Sequence, residues 1–293
     1  MEGNSDAGGD LPVMLPAPVK IKRVYDSLNS AERKAAEFVL QNPKSVVEMG
    51  IAEVARAAGC STATLSRFAR RIGYENYREF RTALEPTSEP GGGGFYPDVQ
   101  PSDDYGDILR KVFQSSVRTI EHTLAAIDVD EYRRVLEALS SASRVVFFAI
   151  GDAAAVAHAG CYKFARIGYQ TSYSSDPDVS LVTGSLLRRG DMAVGISHSG
   201  QTTTVIRALK QSKKAGATTV AITNFPLSPI VRIADHVLLT AAFAESSTGE
   251  LMAHRVAQLC VLEALWVGVL QKRRGSLKEL LSYIDESLRV NKE

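Results

Sequence analysis

Apolar and polar residues alternate with different periods in the two halves of the chain. Residues 21–85 carry apolar side chains at spacings of three and four, which predicts short helices joined by tight turns. After Asp130, the five apolar runs RVVFFAI, YQTSYS, DMAVGIS, TTVAIT and HVLLTA alternate with helical stretches. Such runs are typical of parallel strands covered by helices on both faces. The pattern therefore predicts an all-α N-terminal domain, followed by an α/β domain with a doubly wound parallel sheet.

Glycine, proline and small polar residues indicate the domain boundaries. Residues 1–19 predict a disordered tail, because such a composition cannot bury enough surface to become ordered. Residues 87–104 include four consecutive glycines and predict a flexible linker. We therefore expect a helical domain over residues 20–86 and an α/β domain with flanking helices over residues 105–293. The first of those helices is predicted from Tyr105 to Ile127.

Two short predicted helices flank Gly59 in the N-terminal domain, which indicates a helix-turn-helix. On the second helix Leu65, Phe68, Ala69 and Ile72 share one face, so the polar residues are expected on the opposite face. Hydroxyls at a helix start and arginines along it suit entry into the DNA major groove. On periodicity alone, a helical hairpin with a solvated basic face explains the pattern at least as well. The candidate DNA-binding residues are Ser61, Thr62, Thr64, Ser66, Arg67, Arg70 and Arg71.

A cluster of hydroxyl side chains in the stretch GISHSGQTTT lies between a predicted strand and a predicted helix. Ligands of doubly wound sheets bind at such a place, where free helix amides attract phosphate. An ordinary helix N-cap would use only one or two of these hydroxyls. A Ser–His nucleophile is disfavoured, because Ser197 and His198 are adjacent and no G-x-S-x-G turn is present. The cluster therefore predicts an oxyanion-binding site.

Both constellations resemble parts of one known family. The segment from Ile51 to Arg81 resembles the DNA-binding domain of the RpiR family of bacterial regulators. The positions that carry this resemblance are Gly59, Cys60, Ser61, Thr64, Leu65, Arg67, Phe68, Ile72, Gly73 and Tyr74. The motif ISHSGQT resembles the phosphate-binding signature of the sugar isomerase (SIS) domain, which RpiR regulators join to that DNA-binding domain. The resemblance implies ligand binding by Gly151, Asp152, Ser197, His198, Ser199, Gly200, Gln201 and Thr202.

One segment departs from the SIS pattern. Such domains carry Gly-x-Gly-x-Ser after the first strand, whereas this chain has AIGDAAA, with Asp152 and Ala153 where a small residue and the serine are expected. A carboxylate that faces a phosphate is repelled by it, which raises the carboxylate pKa. Asp152 therefore turns away, or binds a sugar hydroxyl or amine, or marks a site that no longer takes phosphosugars.

These features predict a DNA-binding transcriptional regulator that senses a phosphorylated sugar or amino sugar and thereby alters operator binding. Its expected partners are operator DNA and a phosphosugar-type effector, and a homodimer or homotetramer is expected. The alternative is an enzyme, a phosphosugar isomerase or lyase, with His198, His254 or Glu250 as the general base. An enzyme would have no use for the N-terminal domain. We predict no catalytic residue, no cofactor and no metal ligand.

Charge and cysteine content bear on the cellular location. The net charge of +1 means that any basic surface for DNA is local. Cys60, Cys161 and Cys260 are odd in number and far apart, which suits a reducing compartment and small buried thiols. No secretory signal opens the chain, and the apolar run VAQLCVLEALWVGVL is interrupted by Glu263. We therefore expect a core helix there, no membrane partner and a cytoplasmic protein.

Overall fold

The computed structural model describes residues 17–25, 28–84, 99–242 and 252–290. The chain divides into two compact units between Pro86 and Thr87. Residues 1–16 of the predicted tail, most of the predicted linker and Glu250 lie outside the described residues. The prediction of a tail up to residue 19 is wrong at its end, because a helix begins at Ala17, whose side chain is buried.

The described part of the N-terminal unit consists of helices joined by turns and short loops, as the periodicity predicts. Its hydrophobic core includes Leu65, Phe68 and Phe80, all fully buried. Phe68 and Phe80 meet edge to face with their ring centroids 5.7 Å apart, which is a favourable aromatic geometry. The helices are α1 (Ala17–Tyr25), α2 (Ser30–Gln41), α3 (Pro43–Glu48), α4 (Ile51–Ala57), α5 (Thr62–Arg71) and α6 (Tyr77–Thr82).

The C-terminal unit has a five-stranded parallel sheet in its described part, in the strand order β2–β1–β3–β4–β5. All five apolar runs form the strands that the sequence predicts. Helices lie between the first four strands, whereas turns join β4 to β5. The elements are α7 (Tyr105–Ala126), α8 (Val129–Ser140), β1 (Arg144–Phe148), α9 (Ala153–Ala165), β2 (Gln170–Ser174), α10 (Pro177–Ser185), β3 (Asp191–Ile196), α11 (Thr203–Lys214), β4 (Thr218–Thr223), β5 (His236–Leu239), α12 (Met252–Lys272) and α13 (Arg274–Arg289).

Helices cover both faces of this sheet, because alternate strand residues point to opposite sides. Val145 and Phe147 of β1 belong to the cluster that includes α9 and α12. Val146 and Phe148 belong to the opposite cluster, which α11 completes. The sheet is thus buried on both faces, and its loops at the carboxyl ends of the strands remain to form a site.

Helix α12 is long and apolar enough, by length and composition alone, to cross a membrane. Half of its most apolar window is buried inside the protein, including Val261, Leu265 and Val269. These side chains pack in the core beneath the sheet, as expected of a core helix. Cys260 on the same helix is exposed, and Cys60 and Cys161 are only partly buried, so the expectation of three buried cysteines is wrong.

Helix α7 buries small, mostly polar side chains and leaves a row of large apolar side chains exposed. Ser115, Thr119 and Thr123 are buried, and the Thr123 hydroxyl accepts a hydrogen bond from the Ala241 amide at 3.0 Å. Small side chains let α7 pack closely against α12. The outward row, called the α7 stripe below, is Tyr105, Leu109, Phe113, Val117 and Leu124, each more than half exposed.

Candidate functional site

Helices α4 and α5 form the predicted helix-turn-helix. Gly59 has a φ of +64°, a left-handed conformation that glycine adopts without strain and that the tight turn requires. Ser61 is the N-cap of α5, and its Oγ accepts the Thr64 amide at 3.1 Å. The turn and the cap together fix where the outer face of α5 begins.

The outer face of α5 carries most of the predicted DNA-binding residues. Ser61, Thr62, Arg67, Arg70 and Arg71 are exposed, whereas Ser66 is half-buried. The predicted placement of Thr64 on this face is wrong. It is only 5% exposed, and its hydroxyl lies 2.9 Å from Ser61 Oγ inside the cap. Thr64 therefore positions the start of the helix and does not face solvent.

Arg71 differs from the other two arginines, because it is already engaged within the unit. Its Nη1 lies 3.3 Å from Oε2 of Glu32, a carboxylate that is almost fully buried. The same Glu32 oxygen accepts the Asn29 amide at the start of α2. Arg71 therefore joins α5 to α2, and Arg67 and Arg70 are the better candidates for a contact with DNA.

The hydroxyl-rich loop follows β3 and precedes α11. Gly200 has a φ of +63°, and a Cβ there would overlap the Ser228 side chain, so only glycine fits this bend. The Ser197 and Thr202 hydroxyls bond to one another at 2.8 Å. Within this described loop Thr202 is the N-cap residue but makes no side-chain capping bond. The ordinary cap explanation is therefore wrong, and the positive end of α11 is left for another acceptor.

A cavity of about 210 Å³ opens beside this loop, at the carboxyl ends of β1 and β3. Five of the eight predicted ligand-binding residues line it: Asp152, Ser197, His198, Ser199 and Thr202. The other three predicted residues, Gly151, Gly200 and Gln201, are not part of its lining. The Gly200 amide donates to Ser197 O at 3.1 Å, and the Gln201 amide donates to Ser199 Oγ at 3.2 Å. Gly200 and Gln201 therefore shape the loop, whereas a direct ligand contact through these two amides is not supported.

The Asp152 carboxylate forms an ion pair with the guanidinium of Arg255. Its Nε donates to Asp152 Oδ2 at 2.8 Å, and its Nη1 donates to Gln258 Oε1 at 2.5 Å. Arg255 is 7% exposed and lines the same cavity. The negative charge of Asp152, which would repel a phosphate, is thus balanced by a guanidinium on α12. Asp152 neither turns away from the cavity nor leaves it with a net negative charge.

His198 of the hydroxyl-rich loop lies against His254 of α12. Their imidazole rings stack with centroids 3.8 Å apart and planes at 7°. Burial, together with the nearby His254 and Arg255, lowers the pKa of His198 to about 3. The His198 imidazole is therefore neutral near pH 7, and its buried Nδ1 has no hydrogen-bond partner among the described residues.

Four further residues line the cavity: Ile150, Ala153, Ile196 and Arg255. Ala153 occupies the position where the SIS pattern expects a serine, and Ile150 and Ile196 are apolar neighbours of the predicted segments. Arg255 had one visible signal, a charge near the start of a largely apolar helix, but its partner lies 103 residues earlier in the chain. Among the described residues no group of three His, Cys, Asp or Glu side chains is placed to hold a metal ion.

Comparisons with known families cover most of the chain. Residues 17–90 match the helix-turn-helix domain of the rpiR family, and residues 138–268 match the SIS domain. The first match ends inside the predicted linker, at residue 90, and the second begins after it, at residue 138. The helix-turn-helix and the hydroxyl-rich cavity described above therefore lie one in each matched domain.

Similar proteins match along nearly their whole length. An uncharacterized HTH-type transcriptional regulator of Caldanaerobacter subterraneus is 30% identical over 277 residues, which is 93% of this chain and 96% of that protein. The HTH-type transcriptional regulator HexR of Escherichia coli is 27% identical, over 93% of this chain and 94% of HexR. The solved structure of the Vibrio vulnificus NanR protein complexed with ManNAc-6P is 25% identical, with a TM-score of 0.61, over 93% of this chain and 98% of that chain.

Proposed function

The chain belongs to the rpiR family of helix-turn-helix transcriptional regulators with a SIS domain, and from this premise we propose how it works. The exposed face of α5 binds operator DNA, and the cavity beside α11 binds a phosphorylated sugar or amino sugar. The ligand changes the affinity of the protein for its operator. It can do so only if it binds one arrangement of the protein more tightly than another.

The observation that carries this proposal is the uncapped start of α11 beside converging hydroxyls. Thr202 bonds to Ser197 and leaves the first amides of α11 without a side-chain acceptor in the described loop. Free amides, a positive helix end and hydroxyl donors together suit a phosphate. A similar protein, NanR, has been solved with ManNAc-6P, which supports a phosphorylated amino sugar as the ligand class here.

The same geometry favours a sensor over an isomerase or lyase. Such an enzyme needs a general base with a pKa near the working pH. His198, a candidate base, has its pKa lowered to about 3, which makes it a poor proton acceptor. His254 is buried against it, and Glu250 lies outside the described residues. The similar proteins named above as transcriptional regulators also support a function without catalysis.

We further propose that the protein is a cytoplasmic homodimer or homotetramer. The α7 stripe leaves large apolar side chains exposed along one helix, which is typical of an interaction surface. An apolar groove of about 320 Å³ between α9 and α12, lined by Leu259 and Leu262 among others, adds a second such surface. Two DNA-binding domains in one assembly would match a palindromic operator.

The proposal is tested by measuring its two binding activities separately. Fluorescence anisotropy with the DNA upstream of the coding region is expected to show sequence-specific binding at moderate salt. Thermal unfolding is expected to shift upward with N-acetylmannosamine 6-phosphate or glucose 6-phosphate, and not with the unphosphorylated sugars. Absence of specific DNA binding would contradict the regulator, and equal shifts with unphosphorylated sugars would contradict the phosphate site.

A further inference from the structure

Asp152 and Arg255 form an ion pair in the cavity lining, and each has a polar atom that the pair does not use. Asp152 uses Oδ2 for Arg255, and among the described residues its Oδ1 has no partner. Arg255 uses Nε and Nη1, and no described residue accepts a hydrogen bond from its Nη2. The Asp152 side chain is 30% exposed and lines the cavity, so it is accessible to a ligand. The pair therefore offers one acceptor and one donor side by side in the cavity wall.

An acceptor beside a donor suits a neutral polar group. A sugar hydroxyl both donates and accepts a hydrogen bond, and an acetamido group donates through N–H and accepts through C=O. Either group can bond to Asp152 and Arg255 together without breaking their ion pair. Hydrogen bonds to charged groups are the stronger ones, so a ligand that lacks such a group would leave the pair incompletely satisfied.

A second anionic group on the ligand would find no unpaired cation in the described lining of the cavity. Among the described residues that line the cavity, Arg255 is the single cation, and Asp152 already balances its charge. A ligand carboxylate would lie beside the Asp152 carboxylate and in the same cavity as the phosphate, without a counter-cation of its own. Like charges placed together in an interface weaken binding.

We propose that the Asp152–Arg255 pair determines ligand specificity: it recognises a hydroxyl or acetamido group of a neutral phosphosugar and excludes phosphosugar acids. This inference rests on the proposed phosphosugar site and states which class of phosphosugar that site takes. Asp152 supplies the selection, because the small residue that the SIS pattern expects there would leave Arg255 free to bind a second anion.

Two matched ligand pairs test this selection by isothermal titration calorimetry on the full-length protein. The pairs are glucose 6-phosphate with 6-phosphogluconate, and N-acetylglucosamine 6-phosphate with N-acetylmuramic acid 6-phosphate. The wild-type protein is expected to bind the neutral member of a pair more tightly by about tenfold or more. In Asp152→Asn, which removes the charge and keeps the shape, the affinity ratio is expected to move toward the acid by about tenfold.

Two further variants complete the design. Asp152→Ser provides the same test with a small hydroxyl side chain if the asparagine variant does not fold. Asp178→Asn removes an exposed carboxylate on α10 outside the cavity and is expected to keep the wild-type ratio. An acid bound as tightly as its neutral partner by the wild type, or an unchanged ratio in folded Asp152 variants, overturns this inference alone. Failure of all four phosphosugars to bind the folded wild type overturns the proposed function itself.

Discussion

At the residue scale, the cavity wall contains the imidazole of His198, which stacks on His254, and the buried guanidinium of Arg255. His198 lies between His254 and Phe225, with its ring edge-on to Phe225 at 5.6 Å. Since burial is the largest cause of its lowered pKa, followed by His254 and Arg255, His198 stays neutral where most imidazoles begin to titrate. A neutral ring can hydrogen-bond to a ligand without adding charge to a cavity whose Asp152–Arg255 pair is already balanced.

This electrostatic arrangement predicts a loss of stability in mild acid. The folded-state pKa of about 3 lies below the unfolded value of about 6.5, so between these values only the unfolded chain binds the proton. Stability is therefore unaffected above pH 6.5 and falls as the pH drops below it, by about 2 kcal/mol from this residue between pH 7 and pH 5.

Denaturant unfolding followed by the fluorescence of Trp266, the single tryptophan, measures this loss in the same unit of the structure. His198→Gln is expected to reduce the decline between pH 7 and pH 5, because it removes the titrating ring. His158→Gln, at an exposed position on α9, is expected to keep the wild-type decline. A His198→Gln protein with the full wild-type decline would contradict the assignment.

At the element scale, the proposed DNA contact of α5 and its bond to the rest of the unit come from adjacent turns of the helix. Arg67 is exposed on the outer face, whereas Arg71 is bonded to the buried Glu32 of α2. A guanidinium that already pairs with a carboxylate has less to gain from a phosphate. Removal of Arg67 is therefore expected to weaken DNA binding, and removal of Arg71 is expected to lower stability.

Arg67→Ala is expected to weaken operator binding by about 1–3 kcal/mol with little change in stability. Arg71→Ala is expected to lower the free energy of unfolding of the N-terminal unit by about 1 kcal/mol, because the pair is partly exposed but leaves Glu32 buried. Anisotropy and denaturant titration on both variants measure the two effects. The assignment fails if Arg71→Ala leaves stability intact while Arg67→Ala lowers it.

Elements were predictable where a local pattern determines them. The five strands followed from apolar runs, and the buried face of α5 followed from its spacing, because burial imposes the period of each element. Thr64 was misplaced because a helical wheel cannot tell that an N-cap encloses the third helical residue. The Asp152–Arg255 pair was not predictable, since it depends on α12 packing beside the loop after β1. Tertiary packing, which a single sequence does not encode locally, decided the second of these outcomes.

At the scale of the whole molecule, the α7 stripe is the feature that a single chain does not explain. Its five side chains are exposed, although the opposite, polar face of the helix is packed against the protein. Burying large apolar side chains contributes about 1.5–3 kcal/mol each, so their exposure in a lone chain is costly. A second copy of the chain is the occupant that the proposed oligomer supplies.

Phe113→Glu is expected to shift the protein toward the monomer, because it places a charge in the middle of the α7 stripe. Size-exclusion chromatography with light scattering measures the mass at several concentrations. Gln114→Glu, which adds the same charge at the adjacent exposed position, is the matched control and is expected to leave the mass unchanged. A wild-type protein that is monomeric at every concentration would contradict the oligomer, as would a Phe113→Glu protein that keeps the full oligomeric mass.

The central claim is that a phosphosugar bound beside α11 changes the affinity for operator DNA. Its most direct test is the operator Kd with and without the phosphosugar that binds tightest, for the wild type, for Ser199→Ala/Thr202→Val, and for the exposed control Thr203→Val. The wild type and the control are expected to change Kd by about fivefold or more with ligand. The double variant is expected to bind operator normally but to lose this change. A double variant that responds to ligand like the wild type would contradict the account.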